Sequence, residues 1–203
     1  MTENGNRSSR DQILDELRGA EKLIAVTHEN PDGDALGSLI AMQQILVALG
    51  KDSVIYIDAE EFPLPYEYRF LPLTGVVNRP PEDIEKRTIT FLDCGNLDRT
   101  SGEGLQRPGA RILNIDHHHD NTLFGTVNLV DPQASCTAEI VWDLMHGLGV
   151  TPTVTIAEAL YVGLITDTGR FMYENTGPRA HLMAAELIEA GVDVHEMYRR
   201  VYE

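Results

Sequence analysis

LIAVTHENPDGDALGSLIAMQQILVALG, residues 23–50, changes character twice. Residues 23–27 are a brief apolar, β-branched run suited to a buried strand. HENPDGD (28–34) is turn chemistry, punctuated by Pro31 and Gly33. From Ala35 the apolar residues recur at helical spacing as far as Gly50, which suits a helix end. Strand, polar turn and helix in direct succession are the local signature of an alternating α/β fold.

The pattern repeats along the chain. SRDQILDELRGAEK (9–22) predicts a short amphipathic helix capped by Ser9, and VIYI (54–57) predicts a strand. Residues 58–88 carry Pro63, Pro65, Pro72, Pro80 and Pro81 and read as a loop with one short helix at PPEDIEK. TITFLD (88–93) and RILNID (111–116) are strands, each ending on an aspartate, and NLVDPQAS (128–135) reads as a connection. Helices are expected over Thr137–His146, over 155–168 and, capped by Thr176, over Pro178–Ala190; VHEMYRRVYE (194–203) starts another. The fold class is α/β, a mostly parallel sheet flanked by helices, with one domain over 1–190 and the start of a connecting helix at 191–203. The polar stretch TENGNRSSR (2–10) is expected to be disordered. Ligands of such folds sit beyond the carboxyl ends of the strands, where His28, Asp93 and Asp116 all fall.

Composition narrows the function. With 16 Lys plus Arg against 32 Asp plus Glu, the formal charge is −16, which opposes wrapping a long DNA duplex. A short phosphorylated ligand stays open if bound cations reverse the local sign. Cys94 and Cys136 are too few for a disulfide framework and read as small buried side chains. No apolar run has the length of a membrane span, so no membrane partner is expected and the default location is cytoplasmic.

Four polar clusters interrupt the apolar pattern. His28, Asp32 and Asp34 share the first turn, which reads either as a polar loop with a helix cap at Asp34 or as a set of ligands. Asp93 ends a strand, where it is either the first solvated residue or a ligand; Asp98 and Arg99 follow, as a local ion pair or with Arg99 reaching a phosphate. Asp116 runs into His117, His118 and His119, and successive extended residues face opposite sides, so the imidazoles cannot share one role. Asp167 follows an apolar run and needs a partner, either the hydroxyls of Thr166 and Thr168 or a cation. Mixed imidazole and carboxylate donors suit manganese, zinc or iron better than calcium. Five carboxylates in a small volume would repel, and two divalent cations would offset most of that charge.

The order His28-x-x-x-Asp32-x-Asp34-x-x-Gly37-Ser38, then DCGNLDR (93–99), NIDHH (114–118) and GLITDTG (163–169), resembles the DHH family of phosphoesterases. Within it the likeness is to the bacterial branch acting on short oligoribonucleotides and 3′-phosphoadenosine-5′-phosphate. The resemblance implies a hydrolase with two manganese ions per site (Mg, Co or Zn as substitutes) and a hydroxide activated by both. It puts His28, Asp32 and Asp93 on one ion and Asp34, Asp93, His117 and Asp167 on the other. It makes Asp116 a support for the loop or the ligand histidine, and His118 the group facing the scissile phosphate. His119 has no implied role and reads as solvent-facing. Short RNA or a phosphorylated nucleotide is the implied partner, and a homodimer is plausible on family grounds.

Relatives of this kind continue for about a hundred residues or more, into a smaller substrate-gripping DHHA1 domain with a glycine-rich, histidine-containing segment. This chain shows no such segment, so the expectation is a catalytic part of a longer protein with reduced activity of its own. Competing readings are a cyclic dinucleotide phosphodiesterase, an inorganic pyrophosphatase, or a non-catalytic metal- or nucleic-acid-binding module. A third class, an interaction protein, draws on the apolar helix near 155–165.

Overall fold

Leu23 and Ala25 point into one apolar cluster and Ile24 and Val26 into a second, so β1 (Lys22–Val26) is buried on both faces, as an interior parallel strand requires. The computed structural model describes residues 8–203 except 101–103 and 106. In it β1 pairs with β2 (Asp52–Tyr56) on one side and β4 (Thr88–Leu92) on the other. β3 (Val76–Val77), β5 (Ile112–Asp116) and β6 (Val127–Val130) complete a six-stranded sheet in the order β3-β2-β1-β4-β5-β6, with every pair parallel. The chain reverses its direction of travel across the sheet between β1 and β4. That crevice is where open α/β sheets place their ligands.

The two faces of the sheet are covered differently. The larger cluster joins the sheet to α1 (Ser9–Gly19), α2 (Gly33–Ala48), α3 (Thr137–Gly147), α4 (Val154–Asp167), α5 (Pro178–Glu189) and α6 (Val194–Tyr202). The smaller, around Ile24, Ile89 and Phe91, is closed by loop residues such as Leu97, Leu105 and Phe124. Phe91 is fully buried and meets Phe124 edge-on at 5.2 Å; burial of such a side chain contributes about 1.5–3 kcal/mol. α2 and α4 are apolar nearly all round because each is packed on several sides. They cross closely at Gly37, where a Cβ would stand 2.3 Å from the Ala159 carbonyl oxygen.

Several expectations change. The cap of α1 is Ser8, which has extended backbone and accepts the Asp11 amide, and Ser9 is the first helical residue. The start of the polar stretch 2–10 lies outside the described residues; its end forms that cap and the first turn of α1. β6 overlaps the start of the expected connection 128–135, and β3 falls within the proline-rich segment, which also holds three 3₁₀ turns. Thr176 does not cap α5: the N-cap is Gly177, which offers no side-chain oxygen, and Pro178 begins the helix instead. α4 is core over Ile156–Ile165, which removes the argument for a partner-binding helix there. Both cysteines are buried free thiols. No helix is long and apolar enough to cross a membrane among the described residues.

Candidate metal centre

The turn after β1 carries the first three polar side chains. The His28 ring nitrogen Nδ1 lies 2.7 Å from the Glu29 carbonyl oxygen, which can only accept, so Nδ1 carries the proton. That leaves the Nε2 lone pair facing Asp93 Oδ2 at 3.6 Å, an arrangement that needs a proton or a cation between the two. Burial opposes a charged His28, yet the Asp93 carboxylate and the Glu29 carbonyl together lift its pKa above the ordinary value. Asp32 is the N-cap of α2 and accepts the Ala35 amide at 3.0 Å. The cap expected at Asp34 therefore falls two residues earlier. Asp34 instead sits in the first turn of α2, 1% exposed.

Asp93 stands one residue beyond β4 with φ +56°, a left-handed conformation that costs on the order of 1 kcal/mol for a non-glycine residue. The kink turns its carboxylate into the crevice, where it is 2% exposed. Its Oδ2 faces His28, while Oδ1 lies 3.7 Å from His117 Nε2 and 3.6 Å from His118 Nδ1. Asp167, the last residue of α4, approaches His117 Nε2 at 3.7 Å through Oδ2. Thr166 and Thr168 spend their hydroxyls on main-chain carbonyls one turn back, so neither serves Asp167; Asn175 Nδ2 reaches it at 3.3 Å. Three groups of donor atoms, each within 4.8 Å of one another, result: His28, Asp32 and Asp93; Asp34, His117 and Asp167; Asp93, His117 and His118.

Asp116 ends β5 fully buried and organises the turn behind it. Its Oδ1 accepts the His117 amide at 2.9 Å and His118 Nδ1 at 2.8 Å, and its Oδ2 accepts Asn121 Nδ2 at 2.6 Å. Asp116 thus holds the ring of His118, not that of His117. Burial alone would raise Asp116, but His118 and Asn121 outweigh it and keep its carboxyl below the usual range. The same hydrogen bond pushes His118 up to about 9 against its burial. Asn121 also donates to Asn114 Oδ1 and the Cys94 carbonyl, and Thr122 N donates to the Gly95 carbonyl, so the histidine turn is laced to the segment bearing Asp93. His119 is exposed. Arg99 is exposed too; its carbonyl accepts the Glu29 amide at 2.7 Å, beside the first turn, and among the described residues it makes no ion pair with Asp98.

The electrostatics are those of a place short of positive charge. Burial, then the charges of Asp93 and Asp167, push Asp34 well above the usual carboxylate range against the pull of two amides. Burial lifts Asp167 to about 6, with His117 opposing and Asp93 and Asp32 adding to the rise. Among the described residues, the ion-pair partners of Asp93 and Asp167 are imidazoles and not lysine or arginine. A set of imidazole and carboxylate donors that repel one another in this way is matched to borderline divalent cations.

One contributor, Thr137, entered the sequence reading only as the first residue of a helix, while Glu139 on the same helix read as structural or solvated, not catalytic. Thr137 donates its hydroxyl to Asp93 and its amide to Asp34. Glu139, 4% exposed, accepts Ser135 N and Oγ and pairs with Arg179, fixing the loop before α3.

Comparison with known proteins identifies relatives of the chain and of its fold. The signature described as "DHH family, N-terminal domain" matches residues 22–164. The bifunctional oligoribonuclease and PAP phosphatase NrnA of Thermus thermophilus is 36% identical over 191 residues, covering 93% of this chain and 56% of that protein. The crystal structure of an exopolyphosphatase-related protein from Bacteroides fragilis superposes with TM-score 0.86 at 25% identity, over 100% of this chain and 62% of the other. Exonuclease RecJ, solved bound to manganese, shares the fold with TM-score 0.58 at 19% identity, over 97% of this chain and 55% of RecJ.

Proposed function

The chain belongs to the DHH family, and from that footing we propose that it is a two-cation phosphoesterase, manganese-dependent, that hydrolyses short oligoribonucleotides and 3′-phosphoadenosine-5′-phosphate. One observation carries the reading: six dispersed side chains, His28, Asp32, Asp34, Asp93, His117 and Asp167, converge, and among the described residues none of them has a lysine or arginine as ion-pair partner. In this reading His28, Asp32 and Asp93 hold one cation, and Asp34, Asp93, His117 and Asp167 hold the other. Asp93 serves both because its two oxygens face opposite sides. Two divalent cations held there would lower the pKa of coordinated water toward neutrality and neutralise phosphoryl charge.

The remaining chemistry belongs to side chains. His118, whose ring is held by Asp116 through Nδ1, would offer a proton to the phosphate or to the departing ribose oxygen. Asp116 acts through His118 by fixing its ring. In this reading exposed Arg99, whose carbonyl accepts the amide of Glu29 in the first turn, would reach a phosphate of the substrate. The substrate class is taken from the Thermus relative. This chain spans 56% of that protein's length. Residues 1–190 would be the catalytic domain, with 191–203 leading out of it in a location we take to be the cytoplasm.

The test is a substrate panel with and without Mn²⁺: a ribodinucleotide, 3′-phosphoadenosine-5′-phosphate, a cyclic dinucleotide and pyrophosphate. Hydrolysis of the first two, abolished by chelator and by Asp93→Asn, is the expected result. Preference for pyrophosphate or the cyclic dinucleotide would reassign the substrate, and metal binding without any turnover would leave a binding module.

A further inference from the structure

Helix α3 begins in an unusual way. Its N-cap, Cys136, has no side-chain oxygen to accept the first free amides of the helix, a position where Ser, Thr, Asp or Asn is preferred. The acceptor comes instead from about a hundred residues earlier in the chain. Thr137 N donates to Asp34 Oδ2 at 2.6 Å and Ala138 N to Asp34 Oδ1 at 2.9 Å. The Thr137 hydroxyl donates to Asp93 Oδ1 at 3.0 Å, and the whole residue is buried. Thr137 is therefore bonded at once to the carboxylate assigned to one cation and to the carboxylate assigned to both. α4 closes against the same point, since a Cβ on Gly163 would stand 2.8 Å from Asp34 Oδ1.

We propose that Thr137 is a positioning residue: its hydroxyl sets the rotation of the Asp93 carboxylate, and its amide that of Asp34, so that a single residue registers the two cation positions against each other. A carboxylate on a short side chain turns freely about its last bond unless something holds it. The Asp93 oxygens must present lone pairs in opposite directions to serve two cations, and the main chain, already in a left-handed conformation, has no further freedom to correct a rotated headgroup. The Thr137 hydroxyl occupies one lone pair of Oδ1 and leaves the other directed toward His117. Glu139 fixes the approach to α3 by holding Ser135 through Oε2 while Arg179 holds its Oε1. The anchor is thus itself anchored.

The inference rests on the two-cation reading, and the experiment separates their failures. Thr137→Val keeps the β-branched shape and the amide to Asp34 and removes only the hydroxyl; Thr137→Ser keeps the hydroxyl. Mn²⁺ stoichiometry and affinity would be measured by calorimetry, with electron paramagnetic resonance for spin coupling between neighbouring ions, alongside kcat and KM for the dinucleotide. The valine variant is expected to lose about 10- to 100-fold in affinity for one ion and its spin coupling, with a fall in kcat at little changed KM, while serine stays within about threefold of wild type. Two ions bound by the valine variant with wild-type affinity and coupling would overturn the proposal alone. Fewer than two ions on the wild-type chain would overturn the two-cation reading, and this proposal with it. Where circular dichroism shows the valine variant unfolded, Thr137→Ala against Thr137→Ser decides: equal affinities overturn the proposal, and loss in alanine alone supports it.

Discussion

The two ends of the sheet carry the same residue type in opposite electrical states. At the amino ends of β1, β2 and β4, Asp52 and Asp83 meet Lys22 and Arg87 in a network with contacts of 2.6–3.5 Å. The hydrogen bonds of Arg87 and Lys22 hold Asp83 down to about 2, and those of Arg87 lower Asp52 in spite of partial desolvation. At the carboxyl ends, Asp34, Asp93 and Asp167 face one another and imidazoles, and burial drives Asp34 and Asp167 upward. One end finishes its own charge balance within the chain. The other keeps its carboxylates short of positive charge, as a site that could hold cations would, which is why the first reads as structure and the second as function.

The sharpest way to break that contrast is Asp93→Asn, which keeps shape and tolerates the left-handed backbone but removes the shared charge. Mn²⁺ affinity and turnover should both fall more than about 100-fold, beyond the loss typical of an outer hydrogen-bonding partner; calorimetry and initial rates would check this. Next in size is Asp116→Asn. His118 should drop from about 9 toward its ordinary value, as read by NMR titration of its ring protons. Turnover should fall about 10- to 100-fold with both cations still bound, the loss typical of removing an outer hydrogen-bonding partner.

The third effect is one of pH on the chain in chelator. Asp34 and Asp167 have folded pKa values raised above the unfolded 3.8, so the folded state holds protons that the unfolded state releases. The share of Asp167 in stability then falls as pH climbs from about 4 through about 6, and Asp34 acts in the same direction. His28 and His118 act in the same sense: their contribution is whole below the unfolded 6.5 and, for His118, is lost on rising through about 9. Thermal melts should therefore show a higher Tm at pH 5 than at pH 8 without metal, and Mn²⁺ should reverse the slope, because its ligands must be deprotonated. Asp167→Asn should raise Tm at pH 7 in chelator while weakening Mn²⁺ binding. A Tm that rises with pH in chelator would contradict the charge pattern described. The smallest effect belongs to Asp83→Asn at the other end. It should lower Tm slightly, leave turnover alone and be indifferent to Mn²⁺, as a partly solvated ion pair should.

The clusters were legible because each follows an apolar strand or helix without a break, so pattern and chemistry coincide at His28, Asp93, Asp116 and Asp167. The two short strands were not. β3 has two residues, and β6 is half-buried along most of its length and runs into Asp131-Pro132, which reads as a loop. Capping at the first helix turned on which of two adjacent serines takes extended backbone, a choice their identities do not make. Thr137 lay hidden for a different reason. Its partners Asp34 and Asp93 are joined to it by folding alone, and a threonine at a helix start ordinarily speaks only for its own helix. Of the two partners open for Asp167, the neighbouring hydroxyls drop out because threonines in a last helical turn find a carbonyl one turn back more readily than a neighbouring carboxylate.

The missing side chain at Gly163 has a consequence for how this centre could change. Asp34 and Asp167 ride on different helices, and α4 approaches the Asp34 carboxylate at a position with no room for a methyl group. The interval between those two helices is a gauge, and the gauge is an absence of matter. Adding one carbon there would leave every charged group in place by name and still pry the cage open. On the two-cation reading, ion size, more than ion charge, would then decide what fits inside.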